Sequence, residues 1–480
     1  MNKVNVVWFR QDLRLSDHKA LYYALKDAEQ SGAKVMGLFH IHPSLNDSFT
    51  VRHDYFFRTL EDLVNQAAEQ QFPIHFISGE VEEAFQHLLD QDFTVQSVFY
   101  NKDEVGFGRE RDQSVTKWLE AQDIPVESFV DAHIHGAEEV HKKDGGYYKV
   151  FTPYYRMWSS LDKPAVYSID KKKLSDLGTD FTDQFQEGDK AFRDLLSNCT
   201  KEWNHIGERS AIQRLAHFLH NKVHHYEENR DFPAKNATSM ISPYLKNGVL
   251  SPRTVYHKAM EVKEENGGES KGLETYISEI AWRDFYNMIH YIYPNSKHEE
   301  VSEQYQGIDW NQDEDYFEKW KEGETGYPIV DAAMKQLNTI GWMHNRLRMV
   351  VASFLTKDYL VDWRKGERYF EERLIDYDAS SNIGGWQWAA STGTDAVPYF
   401  RVFNPTRQSE RFDPEGEFIK SYLPQLKDVP KKYIHEPSKM SAEEQEQYNC
   451  KIGEDYPEPS VDHKTMRKRA IEVFEKQKDS

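Results

Sequence analysis

Residues 374–405 read LIDYDASSNIGGWQWAASTGTDAVPYFRVFNP. Asp376 and Asp378 are carboxylates beside aromatic rings, a costly arrangement unless something pairs with them. Trp386 and Trp388 supply large flat surfaces whose indole N–H groups need partners. Gly384 and Gly385 allow close backbone approach and unusual φ angles. This mixture predicts the floor of a large cofactor pocket rather than an anonymous core helix.

Three other segments carry the same kind of chemistry. Residues 238–242 (Thr238, Ser239, Met240, Ile241, Ser242) precede Pro243 and Tyr244. Hydroxyls and free N–H groups at a helix start form a phosphate seat, although a plain N-cap accounts equally well for one hydroxyl. In GWMHNRLRM, Asn345 and Met349 stand at i, i+4 on one helix face. Arg348 is one position off and needs a carboxylate if buried, either Asp376 or Asp378; His344 reads as polar surface or a hydrogen-bonding spacer. In EIAWRDFY, Glu279, Trp282, Arg283 and Tyr286 share one face at i, i+3, i+4 and i+7. The competing reading is a surface salt bridge over a half-buried tryptophan. Of 11 tryptophans, seven lie from Trp282 to Trp388, among them Trp310 and Trp363. An aromatic helical core explains any one of them more easily than it explains all seven.

The elements that must position these residues fall into two patterns. Over residues 1–132, strands at 4–9, 34–40, 73–78, 98–100 and 124–129 alternate with helices at 17–29, 51–70, 81–89 and 109–121. That order predicts a parallel, Rossmann-like sheet covered on both faces, with a ligand at the strand ends. No G-x-G-x-x-G follows the first strand, and Gly106 and Gly108 in GFGRER read as a surface turn. Over 133–204 periodicity fades. This reads as a long inter-domain linker, with Lys171, Lys172 and Lys173 in a solvated turn and YKVFTPYYRMW as its aromatic anchor. From 205 to 480 the pattern is all-helical: 211–226, 276–292, 329–337 with Gly341 as its C-terminal stop, 344–357, 366–374, and a basic amphipathic helix at 463–476 that packs or caps.

The chain has 480 residues, net charge −20, 39% hydrophobic and 14% aromatic residues. That length predicts two or three domains. No apolar run is long enough for a membrane span, and the N-terminus lacks a signal-peptide layout. Cys199 and Cys450, far apart, fit a reducing cytoplasm and offer no metal-type spacing. The acidity argues against nucleic acid only globally, because a groove of a few arginines can sit on an acidic body.

WFRQDLRL, TSMISPYLKNGVLSPR, EIAWRDFY, GYPIVDAAMKQLNTIGWMHNRLRMVVASFLTKD, DWRKGERYF and DYDASSNIGGWQWAASTGTDAVPYFRVFNP together resemble the photolyase/cryptochrome family. Within it the chain is most similar to class I cyclobutane pyrimidine dimer photolyases. The resemblance implies an α/β antenna domain, an all-α FAD-binding C-terminal domain, and light-driven repair of UV-damaged DNA by a cytoplasmic monomer. It implies FAD contacts from Tyr226, Thr238, Ser239, Met240, Ile241, Ser242, Tyr276, Arg348, Asp376, Tyr377, Asp378 and Asn382, with Asn382 facing flavin N5. Glu279, Trp282, Asn345, Met349 and Trp388 would line the lesion pocket. Arg230, Arg283, Tyr286, Arg346 and Gln408 would join them in contacting DNA. Trp386, Trp363 and Trp310 would conduct electrons from the surface. For a second, antenna chromophore the alternatives are methenyltetrahydrofolate first, a deazaflavin, another flavin, or none. Phe107 and Gly108 stand where some members place an Asn-Glu folate pair, and Lys297 follows Ser296 rather than Cys. The alternative is a cryptochrome-type blue-light receptor; Asn382, Asn345 and Met349 favour repair.

Overall fold

The computed structural model describes residues 3–46, 49–265, 268 and 270–478. Contacts divide the chain into two compact units. One, the sheet-bearing unit, comprises Met1–Tyr148, Thr152–His224 and Ser239–Tyr291; the other, the helical unit, comprises Lys149–Phe151, His225–Thr238 and Ile292–Ser480.

The sheet-bearing unit holds five parallel strands, β1 (Lys3–Phe9), β2 (Lys34–Ile41), β3 (Ile74–Ser78), β4 (Thr94–Asn101) and β5 (Val126–Phe129), in the order β3-β2-β1-β4-β5. The inner strands are nearly continuous apolar runs, as a sheet buried on both faces requires. Val4, Val6 and Trp8 of β1 pack with Met36, Leu38, Val98 and Tyr100 in one core cluster. The connecting helices are α1 (Lys19–Ser31), α2 (Val51–Glu69), α3 (Val81–Leu89) and α4 (Gly106–Glu120). Strand order reverses between β1 and β4, the place where open α/β sheets take ligands. Here that end carries the chain's own polar contacts: Arg10 pairs with Asp112, Arg14 with Asp131 and His18 with Asp12, which also accepts from the Asn101 amide.

Two sequence expectations are corrected. Gly106 and Gly108 do not form a surface turn; they open α4. Gly106 takes φ +57° at its first residue, and a side chain at Gly108 would collide with Asp103, so the second glycine serves close packing. Lys171, Lys172 and Lys173 form the first turn of helix Lys171–Leu177, whose cap is Asp170 and whose Leu174 is buried. Residues 133–204 carry helices Phe151–Ser160, Lys171–Leu177 and Gln186–Ser197. Phe192 stacks on Phe76 of β3 at 4.3 Å, and buried Trp158 donates to Asp284 at 2.8 Å, which is the anchoring expected of the aromatic segment.

The helical unit is built on one large apolar cluster that includes Trp310, Trp320, Trp363 and Trp386. Helix Pro328–Ile340 ends at Gly341 with φ +67°, as its position predicts. Helix Asn345–Ser353 runs into a π-helical turn, Phe354–Asp358. Helix His463–Lys478 packs through Phe474, whose ring lies 3.4 Å from the buried Lys357 side-chain nitrogen and 6.2 Å from Trp310. Among the described residues no helix is long and apolar enough to cross a membrane, and no His/Cys/Asp/Glu group could hold a metal ion.

Candidate active site

In the helical unit, the opening stretch becomes helix Ala379–Ala390. Asp378 caps it by accepting from the Ser381 amide at 2.8 Å, and Ser391 closes it at φ +66°. Gly384 and Gly385 lie within this helix and neither has a positive φ, so the expectation of unusual angles is corrected. A Cβ on Gly385 would meet nothing within 4 Å. Asn382 stands three residues before Gly385, on the same face.

Helix Trp363–Arg373 packs against this one. A side chain on Gly366 would strike the Trp386 ring and approach Leu355 to 2.7 Å, so glycine is what admits that indole. Trp386 is 2% exposed and meets Phe370 at 5.0 Å and Trp320 at 5.9 Å, both edge-on. Its indole N–H has no hydrogen-bond partner among the described residues. Trp363 is fully buried and donates to Glu300 at 3.3 Å. Trp310 is 7% exposed and meets Phe474 edge-on at 6.2 Å. Trp388 is half-buried beside Phe403 at 6.4 Å.

Arg348 resolves the choice left open by spacing. Its Nη2 bonds both Asp376 oxygens, at 2.8 and 3.1 Å, while its Nε reaches the Met343 carbonyl at 2.8 Å. The Asp376 carboxylate is 1% exposed and the guanidinium 25%. His344 is buried, not polar surface: it caps helix Asn345–Ser353 by accepting from the Arg346 amide at 3.2 Å. Burial pushes its imidazole down to about 4, so it caps as a neutral ring. Asn345 is exposed and Met349 half-buried on that helix. Arg346 pairs with Asp231 at 2.7 Å and lies 4.4 Å over Phe412. Arg230 lies 5.8 Å over Tyr226. Gln408, on helix Pro405–Phe412, keeps a buried Oε1 without a partner among the described residues.

Tyr377 and Asn382 converge on a residue that sequence reasoning missed. Glu367 accepts from the Tyr377 hydroxyl at 2.9 Å and from the Asn382 amide at 3.1 Å. It is 2% exposed. Burial raises its carboxyl above the ordinary value, against the lowering effect of those two hydrogen bonds. Its only sequence signal was its place in DWRKGERYF, four residues after Trp363.

In the sheet-bearing unit, helix Lys271–Ile292 carries Tyr276, Glu279, Trp282, Arg283 and Tyr286. Ile277, Ile280, Ala281, Asp284 and Phe285 are buried, whereas Glu279, Trp282, Arg283 and Tyr286 form a half-buried stripe. Trp282 lies 5.4 Å from Tyr286, and Arg283 donates to the Ala132 carbonyl at 3.0 Å. Buried Tyr276 meets Phe218 at 4.7 Å. The hydroxyl segment bends at Met240, φ +51°, into the short helix Ser242–Lys246. Ile241, not a hydroxyl residue, occupies its cap position; Thr238 belongs to the helical unit. Phe107 in the α4 segment is 70% exposed. Lys297 of the helical unit is paired with Glu371 at 2.9 Å.

Comparison with known proteins agrees with this geometry. The family described as DNA photolyase matches residues 5–169, and that described as the FAD binding domain of DNA photolyase matches 276–476. A deoxyribodipyrimidine photo-lyase of Alkalihalophilus pseudofirmus is 46% identical, with 98% of each chain covered. Among solved structures, a class III photolyase from Agrobacterium tumefaciens aligns with TM-score 0.86 and 32% identity over 100% of this chain and 98% of that one. A Synechocystis cryptochrome aligns with TM-score 0.83 and 26% identity over 98% and 99%. With an FAD-binding domain matched over its helical part and a near-full-length relative at this identity, the chain belongs to the DNA photolyase family.

Proposed function

We propose that this protein repairs cyclobutane pyrimidine dimers in UV-damaged DNA, using light and bound FAD. The observation that carries the reading is the helix Ala379–Ala390, which gathers a fixed amide at Asn382, open space beside Gly385 and a buried, unpartnered indole at Trp386. A planar ring with polar edges fits such a face. Arg348, Asp376, Tyr377, Asp378 and Asn382 hold the flavin and ribose; Tyr226, Tyr276 and residues 238–242 hold the remainder, with hydroxyls at the phosphates. Bound, reduced FAD supplies an electron on excitation, and the protein supplies position and electrostatics.

The lesion must leave the duplex to reach a buried cofactor. Unstacking costs a few kcal/mol and least for a damaged pair, which favours the lesion. Trp282 and Trp388 give the flat walls on which extruded bases stack. Glu279 hydrogen-bonds the dimer's carbonyl edge and steadies the charge that develops there; Asn345 and Met349 are further lesion contacts. Arg230, Arg283, Tyr286, Arg346 and Gln408 position the backbone. Trp386, Trp363 and Trp310 return electrons to the cofactor. An antenna chromophore, methenyltetrahydrofolate first, extends the absorbed wavelengths.

The test is repair of UV-irradiated oligo(dT) by natively purified protein under blue light and in darkness. The proposal expects a flavin spectrum, repair only in light, and DNA affinity that falls steeply with salt. Equal repair in darkness, or protein purified without flavin, overturns it. Trp386→Phe is expected to abolish photoreduction of oxidised flavin while leaving repair by already reduced enzyme intact. The likeness to a cryptochrome supports a second reading, a blue-light receptor. Bound flavin that photoreduces, with no dimer repair, selects it.

A further inference from the structure

A cavity of about 490 Å³ opens within the sheet-bearing unit. Its walls come from the loop after β5, the segment that follows helix Phe151–Ser160, Lys19 at the start of α1, and Arg253. The volume falls in the range of small-molecule sites. None of the lining residues is one assigned above to FAD, the lesion or DNA. The walls are fixed from behind. Arg253 donates to Asp131 at 2.6 Å and to Asp17 at 3.1 Å. The Tyr167 amide donates to Asp17 at 2.8 Å, and a His257 ring nitrogen lies 2.9 Å from the Pro164 carbonyl.

Three groups lining the cavity keep unused capacity. His135 is 5% exposed. Its Nδ1 lies 3.2 Å from the Glu139 carboxylate, and its buried Nε2 has no partner among the described residues. An ionised carboxylate only accepts, so Nδ1 carries the proton and Nε2 of the neutral ring is a bare acceptor. Lys19 lies 5.7 Å from the Phe129 and Tyr167 rings. Lys163 lies 4.2 Å over Trp158 and donates to the carbonyls of Trp158 at 2.5 Å and Leu161 at 2.6 Å. An ammonium has three N–H groups, so one is left over. Among the described residues neither ammonium has a carboxylate within ion-pair distance. Of the acids that line the cavity, Glu139 is engaged by His135 and Asp162 is exposed to water.

Two ammoniums without a counter-charge and one bare imidazole nitrogen therefore stand beside the apolar side chains of Val130, Ile134 and Leu161. A phosphate monoester carries about −1.5 to −2 charge at neutral pH and offers acceptor oxygens to both lysines. An O–H on the same molecule satisfies His135, and an apolar body fills the remaining volume. Inorganic phosphate has no such body. We propose that this cavity binds an organic phosphate of nucleoside monophosphate size. Lys19 and Lys163 hold its phosphate, and a ligand hydroxyl donates to His135 Nε2. The site requires neither light nor flavin and stands apart from the repair reading.

The experiment is equilibrium dialysis of labelled AMP against natively purified protein, with adenosine and inorganic phosphate as separate arms. AMP is expected to saturate a single site, and each of the other two to bind about tenfold more weakly or less, as loss of a charge-assisted or a filling contact requires. Lys19→Gln is expected to weaken AMP about tenfold, and His135→Phe, which keeps a ring and loses the acceptor, by a similar factor. A second measurement needs no variant. Burial pushes the Lys163 amine down to about 8, so acetic anhydride at mildly alkaline pH should acetylate it, and AMP should protect it, as read by peptide mass spectrometry. No saturable AMP binding up to millimolar concentration overturns the proposal. Inorganic phosphate as tight as AMP overturns the ligand class. AMP that binds equally to Lys19→Gln and leaves Lys163 acetylation unchanged sits elsewhere, which overturns the site. If His135→Phe does not fold, the Lys19 variant and the Lys163 protection still decide.

Discussion

Arg14 and Arg253 in the sheet-bearing unit share Asp131, and Arg253 also reaches Asp17; all four are at most 3% exposed. Arg14 donates further to the Gly248 carbonyl at 2.8 Å. In the helical unit Arg348 binds Asp376 with similar chemistry, yet its guanidinium is 25% exposed, and among the described residues nothing lies within 4 Å of a Cβ built on Gly385. The first arrangement consumes its own donors and acceptors and serves as a lock. The second orients polar atoms and leaves one side of them open. A buried arginine–carboxylate pair therefore says nothing about function until the remaining valences are counted.

The sharpest way to break this contrast is to open the lock. Asp131→Ala leaves two buried guanidiniums short of a partner and is expected to cost about 3–5 kcal/mol, the usual cost of breaking a buried pair, read by chemical denaturation. Burial alone would raise the Asp131 carboxyl, but Arg14 and Arg253 hold it well below the usual carboxylate range. Its folded value is depressed, so its stabilisation is present above about pH 4, the unfolded value, and is lost as pH falls through the depressed value.

Gly366→Ala tests the open side. The added methyl collides with Trp386, and overpacking of this kind costs about 1–3 kcal/mol. Photoreduction of bound flavin is expected to slow in parallel, measured by flash photolysis.

A third test concerns a closed polar cluster inside the helical unit. Asp331 is fully buried and accepts from Thr325, Gly326 and Tyr456; burial pushes its carboxyl up to about 6. A raised folded value means the folded state binds the proton more tightly. Stability should then decline as pH rises from about 4 through about 6, by at most about 1.4 kcal/mol per pH unit. Asp331→Asn is expected to flatten that slope; an unchanged slope assigns it elsewhere.

The smallest effect is expected at Asp378→Ala, which removes the cap of the helix bearing Asn382 and Trp386. Its cost through the cap is about 1 kcal/mol, as thermal melts would read.

Periodicity and residue type by themselves determined much of this protein. The short continuous apolar runs of residues 1–132, alternating with amphipathic helices, specify a parallel sheet, because strands buried on both faces admit little else. Gly341 stops its helix because only a residue free of a Cβ takes that left-handed turn cheaply. The long motifs carried the family, and the pairing of Arg348 was narrowed to two carboxylates. Tertiary structure alone chose Asp376 and gave Asp378 to a helix cap. It placed Gly384 and Gly385 within a helix, because open space and unusual φ are both reasons to use glycine and sequence cannot tell them apart. It turned GFGRER into a helix start because Asp103 occupies the place of a side chain at Gly108. It buried His344, whose neighbours in sequence are charged, because the cap it makes lies in the interior. Glu367 was invisible for the same reason: its chemistry depends on Tyr377 and Asn382, ten and fifteen positions away in sequence. Local pattern reports which face a residue occupies, and only packing reports which polar valences are left over.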